Sequence, residues 1–491
     1  MRQSEIAILA CSLEREDTLV ALHAAARMIP GSNAKLFTTG SFLRRYGPGY
    51  RRETLLVARG KSSGRRGGSD IRFRGDLVLR ASGMPDVYQL LAPGSRGLLD
   101  SLAYLLRQSG LAKFEGVGWI DGSVFAPEPY GPGWAHDDIP NAYGAAVNAV
   151  LANGNAATLI ATATSRGVDL TLDPPEVPLV LKGRVALGGS GAAPRLDFRR
   201  APGSRVLEVS GLVPRGGVVK KQVAVPDPDS AAGLMFLGAM RRAGIQVEAQ
   251  ARVLSREGDS TGSRAKGLSG IPESAFDSAA AMGTPGWEAA GRERVVSILK
   301  LASPGAAEVV GIVNAWSLNT EAEALLRLLD PAPIGKTRER GLAELARIVS
   351  EAGVDTLDLS LVDGSGLSPM DLVTTRAIVT WLTAIDRDPN LGRAFRDGLA
   401  RPGGFGTLKN RFAALDSSAA LRGKTGTLTN VSALSGYVTA PGGERVVFSM
   451  VTNGNRSSVA AARDAEERLV AVLARGRPVV LPGPQPIGIP R

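Results

Sequence analysis

The chain has 491 residues, 44% of them apolar, with 58 Lys and Arg against 47 Asp and Glu for a formal charge of +11. That length exceeds what a single hydrophobic core sustains, so two or three domains are expected; the basic residues are dispersed, and no zinc spacing, basic helix or stacking-aromatic array supports nucleic-acid binding. One cysteine, Cys11, forbids an intrachain disulfide, and two histidines, His23 and His136, rule out a histidine-rich metal site and argue against a histidine triad.

Residues 5–12, "EIAILACS", read as a strand. The apolar run is too short for a signal-peptide core and is followed directly by charge, so taken literally the start is cytoplasmic. No run approaches a membrane-spanning length. A helix is expected from Ser32 to Tyr46, ending at "GPG", with Leu36, Gly40 and Leu43 on its core-facing side. Basic residues concentrate only around "RGKSSGRRGG" at 59–68.

From about 51 to 285 the texture changes to short strands between Gly- and Pro-rich turns, among them "ETLLVARG", "IRFRGDLVLRASG", "ATLIATAT", "VDLTLDP", "PLVLKGRVALGG" and "SRVLEVSGLVP". One helix, "SAAGLMFLGAMRRAGI", interrupts them before "QVEAQARVL". This β-rich middle reads as inserted. Helices return after about 290, including "TEAEALLRLLD", where Thr320 and Glu323 have capping-box spacing. A late hairpin, "SALSGYVTA" and "RVVFSMVTN" around "PGGE", precedes a final helix and a Pro-rich tail expected to be extended or disordered.

The chemistry begins at "IPGSNAKLFTT". Ser32 and Lys35 stand one helical turn apart, so hydroxyl and amine can touch, and a desolvated lysine can serve as base where histidine is lacking. A second copy, Ser297 and Lys300 in "VVSILKLAS", makes the spacing weak alone. Two further motifs separate the copies: Ser317-Leu318-Asn319 before a helix, and Lys424-Thr425-Gly426-Thr427 entering the hairpin. SxxK, SDN and KTG in this order form the set of serine β-lactamases and penicillin-binding proteins, and here Leu318 stands in the middle of the second. Ser317 can relay a proton from Lys35 to a leaving amine, and Asn319 can hold Lys35 and a substrate amide. Lys424 supplies positive charge, Thr425 and Thr427 can bind a carboxylate, and Gly426 clears the strand for substrate. The backbone N–H groups of Ser32 and Thr427 would form an oxyanion hole.

The chain resembles the D-alanyl-D-alanine carboxypeptidase/endopeptidase family, the three-domain, low-molecular-mass class C penicillin-binding proteins. "IPGSNAKLFTT" is similar to its "IPASNMKLFTT", "NAWSLNTEAEALLR" to "NKxSDNLYAExLLR", "VDGSGLS" to "DGSGLS", and "GKTGTLTNVSALSGYV" to "AKTGTLxxVSALSGYV". The resemblance implies an α+β multidomain fold. A split penicillin-recognising catalytic domain with an antiparallel sheet and helices would span 1–58 and 290–491. Domain II would occupy 59–157 and 216–289, and a β-rich domain III 158–215. It further implies cleavage of D-Ala-D-Ala in peptidoglycan stem peptides through an acyl-serine, acylation by β-lactam antibiotics, no cofactor or metal, and no nucleic-acid partner. The catalytic set would be Ser32, Lys35, Ser317, Asn319 and Lys424, with Thr425, Gly426 and Thr427 binding substrate.

Leu318 departs from the family's polar middle residue, and Pro369, Met370 and Asp371 replace a stretch that commonly holds arginine and, two positions later, asparagine. Asp137 and Asp138 lie where domain II would approach the site and could meet a diaminopimelate amino group, although a solvated loop is the simpler reading. Family members act outside the cytoplasmic membrane, so a periplasmic or extracytoplasmic location is expected, with a native N-terminal piece ahead of the first strand. A catalytically weak wall-binding protein and a β-lactamase are the alternatives on the same fold.

Overall fold

The computed structural model describes residues 4–65, 68–254, 296–455 and 459–475. The Pro-rich tail and the Ser297 side chain singled out above lie outside the described residues. The first hairpin pairs β1 (Glu5–Ser12) with β2 (Thr18–Leu22). The helix expected from Ser32 opens instead as one 3-10 turn, Gly31–Ala34, and continues as α1 (Lys35–Tyr46). The tighter entrance follows from Pro30, whose ring restricts φ, and from Gly31 at φ +51°. Every residue of α1 from Lys35 to Leu43 is buried, so it is a central helix and not an amphipathic surface one. Gly40 permits this: a Cβ there would stand 2.5 Å from Ile385 Cδ1 and 2.8 Å from the Trp381 ring.

The middle of the chain builds three sheets. β3 (Glu53–Ser63) and β4 (Ile71–Arg80) are antiparallel, and α2 (Leu98–Gln108) then carries the chain to β5 (Leu111–Asp121), parallel to β4. Further on, α3 (Pro228–Arg242) leads to β12 (Gln246–Val253), parallel to β5, and β13 (Val296–Ala302) closes the far edge against β3. The order is β12-β5-β4-β3-β13. Helices thus make the parallel crossovers that two-residue turns cannot. Between β5 and α3 lie β6 (Ala156–Thr164), β7 (Gly167–Asp173), β8 (Val180–Gly188), β9 (Arg195–Arg199), β10 (Val206–Pro214) and β11 (Val218–Ala224). They form two three-stranded sheets, β11-β6-β7 and β8-β10-β9, sharing an apolar interior of Leu159, Ala161, Val223, Val185, Leu207 and Val209.

The return of helices gives α4 (Ala306–Trp316) and α5 (Asn319–Leu329), separated by Ser317 and Leu318. Short strands β14 (Leu359–Ser360) and β15 (Leu372–Val373) then frame the loop 361–371, and α6 (Thr375–Arg387) follows. Strands β16 (Ala420–Leu428), β17 (Val431–Thr439) and β18 (Arg445–Asn453) join the first hairpin in a sheet ordered β16-β17-β18-β1-β2. Each neighbouring pair is antiparallel, and β1 is stitched to β18 from Glu5↔Asn453 to Ser12↔Val446.

That sheet is covered on both faces, which is why β17 is buried from Val431 through Val438, with Ser432 bonded to Glu466 and Ser435 to Ser449 in the interior. On one face Phe37 and Trp381 belong to the same core as Tyr437, Val447 and Val451. On the other, α7 (Val459–Leu473) sets Val470 and Leu473 against Leu434, Val438 and Phe448. Each such side chain contributes roughly 1.5–3 kcal/mol by leaving water. The expected α+β architecture, with a catalytic sheet assembled from both ends of the chain, is the one observed. Among the described residues no helix is long and apolar enough to cross a membrane.

Candidate active site

Three elements meet at the N-terminus of α1. Lys35 is fully buried, and its Nζ donates to Ser32 Oγ at 2.9 Å, Asn319 Oδ1 at 2.6 Å and the carbonyl oxygen of Ser365. Burial lowers its pKa to about 8, against the pull of Asp363, Glu323, Glu321 and Asp371 toward the charged form. At neutral pH about a tenth of such amines is already unprotonated, a few hundred times more than for a free lysine. An amine of this kind can take a proton from the hydroxyl it touches.

The second element is the α4–α5 junction. Ser317 caps α4 in the left-handed region, φ 61° and ψ 42°, a conformation costing about 1–2 kcal/mol for a residue with a Cβ. The strained turn presents Ser317 Oγ to Lys424 Nζ at 2.8 Å and lets Asn319 start α5 pointing at Lys35. Leu318, between them, packs against the main core. The capping box expected at Thr320 and Glu323 does not form. Leu318 is the N-cap without a side-chain cap, and Glu323 points inward, where Oε1 accepts from Gly364 N and Ser365 N, both at 2.8 Å. A buried carboxylate is held by those two N–H groups and by Arg327, 3.4 Å away, more firmly than an exposed helix start would hold it.

The third element is β16. Lys424 is fully buried and donates to Ser317 Oγ and to the Thr425 carbonyl. Burial, followed by the nearby Lys35, pushes its pKa well below that of a free lysine. Gly426 is required for a reason absent from the sequence reading: a Cβ there would lie 2.5 Å from the Pro30 carbonyl oxygen and 3.2 Å from Ser32 N, so the strand abuts the protein's own turn. At the same seam a Cβ on Gly31 would stand 3.2 Å from Thr427 N. The backbone N–H groups of Ser32 and Thr427 therefore flank one seam beside Ser32 Oγ. Thr425 Oγ1 is hydrogen-bonded to Thr407 Oγ1 at 2.8 Å, at the exposed side of the strand.

Around these stand residues that motif reading did not find. The carbonyl of Tyr143 accepts from Asn319 Nδ2 at 2.8 Å, tying an inserted loop to the site. In that loop Asp138 Oδ1 accepts from Tyr143 Oη at 2.8 Å, while Asp137 is exposed. Asp363 anchors the 361–371 loop, accepting from Ser365, Gly366 and Ser368 N–H groups and from Trp134 Nε1 at 2.9 Å. Asp371 is buried behind it, with Oδ1 accepting from Val362 N at 2.7 Å; burial, then Asp363, pushes its pKa up to about 10. The rival pair lies on a strand and not on a helix: Ser297 and Lys300 belong to β13, and Lys300 sits 3.6 Å from Glu53.

A family model for the D-Ala-D-Ala carboxypeptidase 3 (S13) family matches residues 1–263 and 288–476. A D-alanyl-D-alanine carboxypeptidase of Actinomadura sp. (strain R39) is 28% identical over 456 residues, spanning 87% of this chain and 74% of that protein. The D-alanyl-D-alanine carboxypeptidase DacB of Haemophilus influenzae is 23% identical over 92% of this chain and 86% of its own. The solved structure of penicillin binding protein 4 (dacB) from Haemophilus influenzae superposes with a TM-score of 0.72 at 21% identity, covering 97% of each chain. The fold is also that of a predatory peptidoglycan endopeptidase from Bdellovibrio bacteriovorus, with a TM-score of 0.53 at 13% identity over 99% of this chain and 97% of that one. The chain belongs to the D-Ala-D-Ala carboxypeptidase 3 (S13) family and is a serine-type D-Ala-D-Ala carboxypeptidase, a hydrolase of the penicillin-binding-protein class.

Proposed function

We propose that Ser32 is the nucleophile of an acyl-serine cycle on peptidoglycan stem peptides and that β-lactams acylate the same hydroxyl. The observation that carries this reading is the Lys35 amine, sealed from solvent and in contact with both Ser32 Oγ and Asn319 Oδ1. Unprotonated Lys35 takes the Ser32 proton as Oγ attacks the penultimate D-Ala carbonyl. The oxyanion is held between the Ser32 and Thr427 N–H groups, where one donor contributes about 3 kcal/mol. The C–N bond then breaks as Ser317, held by Lys424 at 2.8 Å, passes on to the departing amine the proton that Lys35 took, which leaves Lys35 unprotonated again. The substrate carboxylate, bound by Lys424 and Thr425, supplies the anion that keeps Lys424 charged. Water releases the acyl group.

Asn319 fixes Lys35 while its amide group, already bonded to the Tyr143 carbonyl, orients the substrate-facing wall. Asp138 is engaged by Tyr143, which leaves Asp137 as the acidic residue available to a diaminopimelate side chain. Because the substrate lies outside the cytoplasmic membrane, the proposed location is periplasmic or extracytoplasmic. The test is mass analysis of products from a pentapeptide stem and a cross-linked dimer. Release of D-alanine from the first is the expected outcome, cleavage of the second would add endopeptidase activity, and no product from either in the intact protein would overturn the reading.

A further inference from the structure

Beside Ser317 opens a cleft of about 750 Å³ between the start of α5 and the inserted part of the chain. Ser317, Asn319 and Glu321 line one wall, Asp86 and Gly154 the other. Its charge is lopsided. Arg242 is committed to Asp100 at 3.1 Å and to Glu176 at 2.5 Å, and no other cation among the described residues lines the cleft, Lys35 lying behind Glu321 and acting on its charge from the catalytic side.

Glu321 is only 7% exposed, and among the described residues no other group hydrogen-bonds its carboxyl; the one that reaches it is its own backbone N–H. The carboxyl faces bare glycine: a Cβ on Gly154, at φ +60°, would stand 2.8 Å from Glu321 Oε1. Burial pushes its pKa up to about 7. Across the cleft Asp86 Oδ2 accepts from Leu98 N at 2.8 Å and the Tyr88 N–H also stabilises the carboxyl, while Oδ1 is buried with no well-aligned donor. A buried carboxyl oxygen without a well-aligned donor, as Asp86 Oδ1 is, is costly, and a ligand bringing N–H donors and positive charge relieves it while pairing with the nearly buried Glu321. Ser317 at the mouth is the group assigned above to protonate the departing amine. A released aliphatic amine is an ammonium ion at neutral pH.

We infer that this cleft is a leaving-group subsite for a peptide bearing a primary amine, and that Glu321 on one wall and Asp86 on the other pair with its ammonium group. The side of the reaction that it serves rests on the acyl-serine reading; the binding contrast does not. By microscopic reversibility the same subsite admits an amine acceptor that attacks the acyl-serine in place of water, forming an amide and returning the Ser32 hydroxyl.

The test uses the full chain carrying Ser32→Ala, titrated by calorimetry with a peptide bearing a free primary amine, with its N-acetylated twin, and with D-alanine. The free amine should bind about ten-fold tighter than its twin, the scale of one charge-assisted hydrogen bond. Glu321→Gln should bring the two within about two-fold, whereas Glu208→Gln, at an exposed position of β10 outside the cleft, should leave the preference intact. Should Glu321→Gln not fold, Asp86→Asn carries the comparison from the other wall, with a preference reduced at least about three-fold. Equal binding of the twins, or a preference untouched by the cleft variants, overturns the inference. A gain seen with D-alanine assigns the site to the released amino acid, and a gain confined to the peptide assigns it to a second stem. If intact protein is never acylated at Ser32, the acyl-serine reading fails while this contrast still decides the cleft.

Discussion

Two Ser-x-x-Lys segments differ in the fold that received them. At 32–35 the residues enter a helix, where positions three apart share a face, and Lys35 is driven into the core with Ser32, Asn319 and a backbone carbonyl as its neighbours. At 297–300 they lie on β13, where the register shifts between Ser297 and Leu299, and Lys300 keeps 17% of its side chain exposed with Glu53 3.6 Å away. The spacing is the same and the chemistry is not. A lysine becomes a base through burial in contact with a hydroxyl, and only the first copy has both.

The largest effect that sharpens this contrast is Ser32→Ala, expected to lower substrate turnover by at least about a thousand-fold, with Lys35→Ala close behind because a nucleophile and its base act as a unit. Near wild-type turnover in either would break the assignment. Lys300→Ala, the matching change in the second copy, should alter turnover by less than about two-fold, since it removes one partly exposed ion pair.

The pH dependence follows from the direction of the Lys35 shift. The base must be unprotonated, so acylation should rise with pH through about 8 and level off above it. A rise centred near 10 would mean that Lys35 is not desolvated in the working enzyme.

A smaller effect concerns stability. Asp371 stands where the resembled family commonly has asparagine, and its carboxyl is raised to about 10 in the folded protein. An acid whose folded pKa is raised favours folding most at low pH and disfavours it progressively as pH climbs from the unfolded value near 4 toward 10. Asp371→Asn keeps an acceptor for Val362 N and needs no proton, so it should raise stability near pH 7 by roughly 1–4 kcal/mol. Thermal unfolding at pH 5 and pH 8 checks this: the variant's advantage should be larger at pH 8, and a variant less stable than the parent at both would contradict it.

Much of the site was legible because each motif is contiguous and carries its chemistry in side chains: Ser32 with Lys35, Ser317 with Asn319, Lys424 with Thr425. The strands of the inserted region were equally visible through alternation and glycine-rich turns. What stayed hidden is carried by the backbone or by direction. The Ser365 and Tyr143 carbonyls that orient Lys35 and Asn319 have no sequence signature. Glu323 matched a capping pattern and turned out to organise the 361–371 loop, because tertiary donors outcompeted a local cap. Helix α2 does bury Leu98, Leu99, Leu102 and Leu106 at helical spacing, a signal obscured by the strand-rich texture around it. In the sequence Gly426 reads as room for substrate, whereas the close approach is to Pro30 and Ser32 of the same chain.

The most direct test of the central claim is peptide mapping by mass spectrometry after exposure of the intact protein to penicillin. A single penicilloyl adduct on Ser32, absent in Ser32→Ala and retained in Ser297→Ala, is the predicted result. An adduct on any other serine, or no adduct on folded protein, would contradict the account.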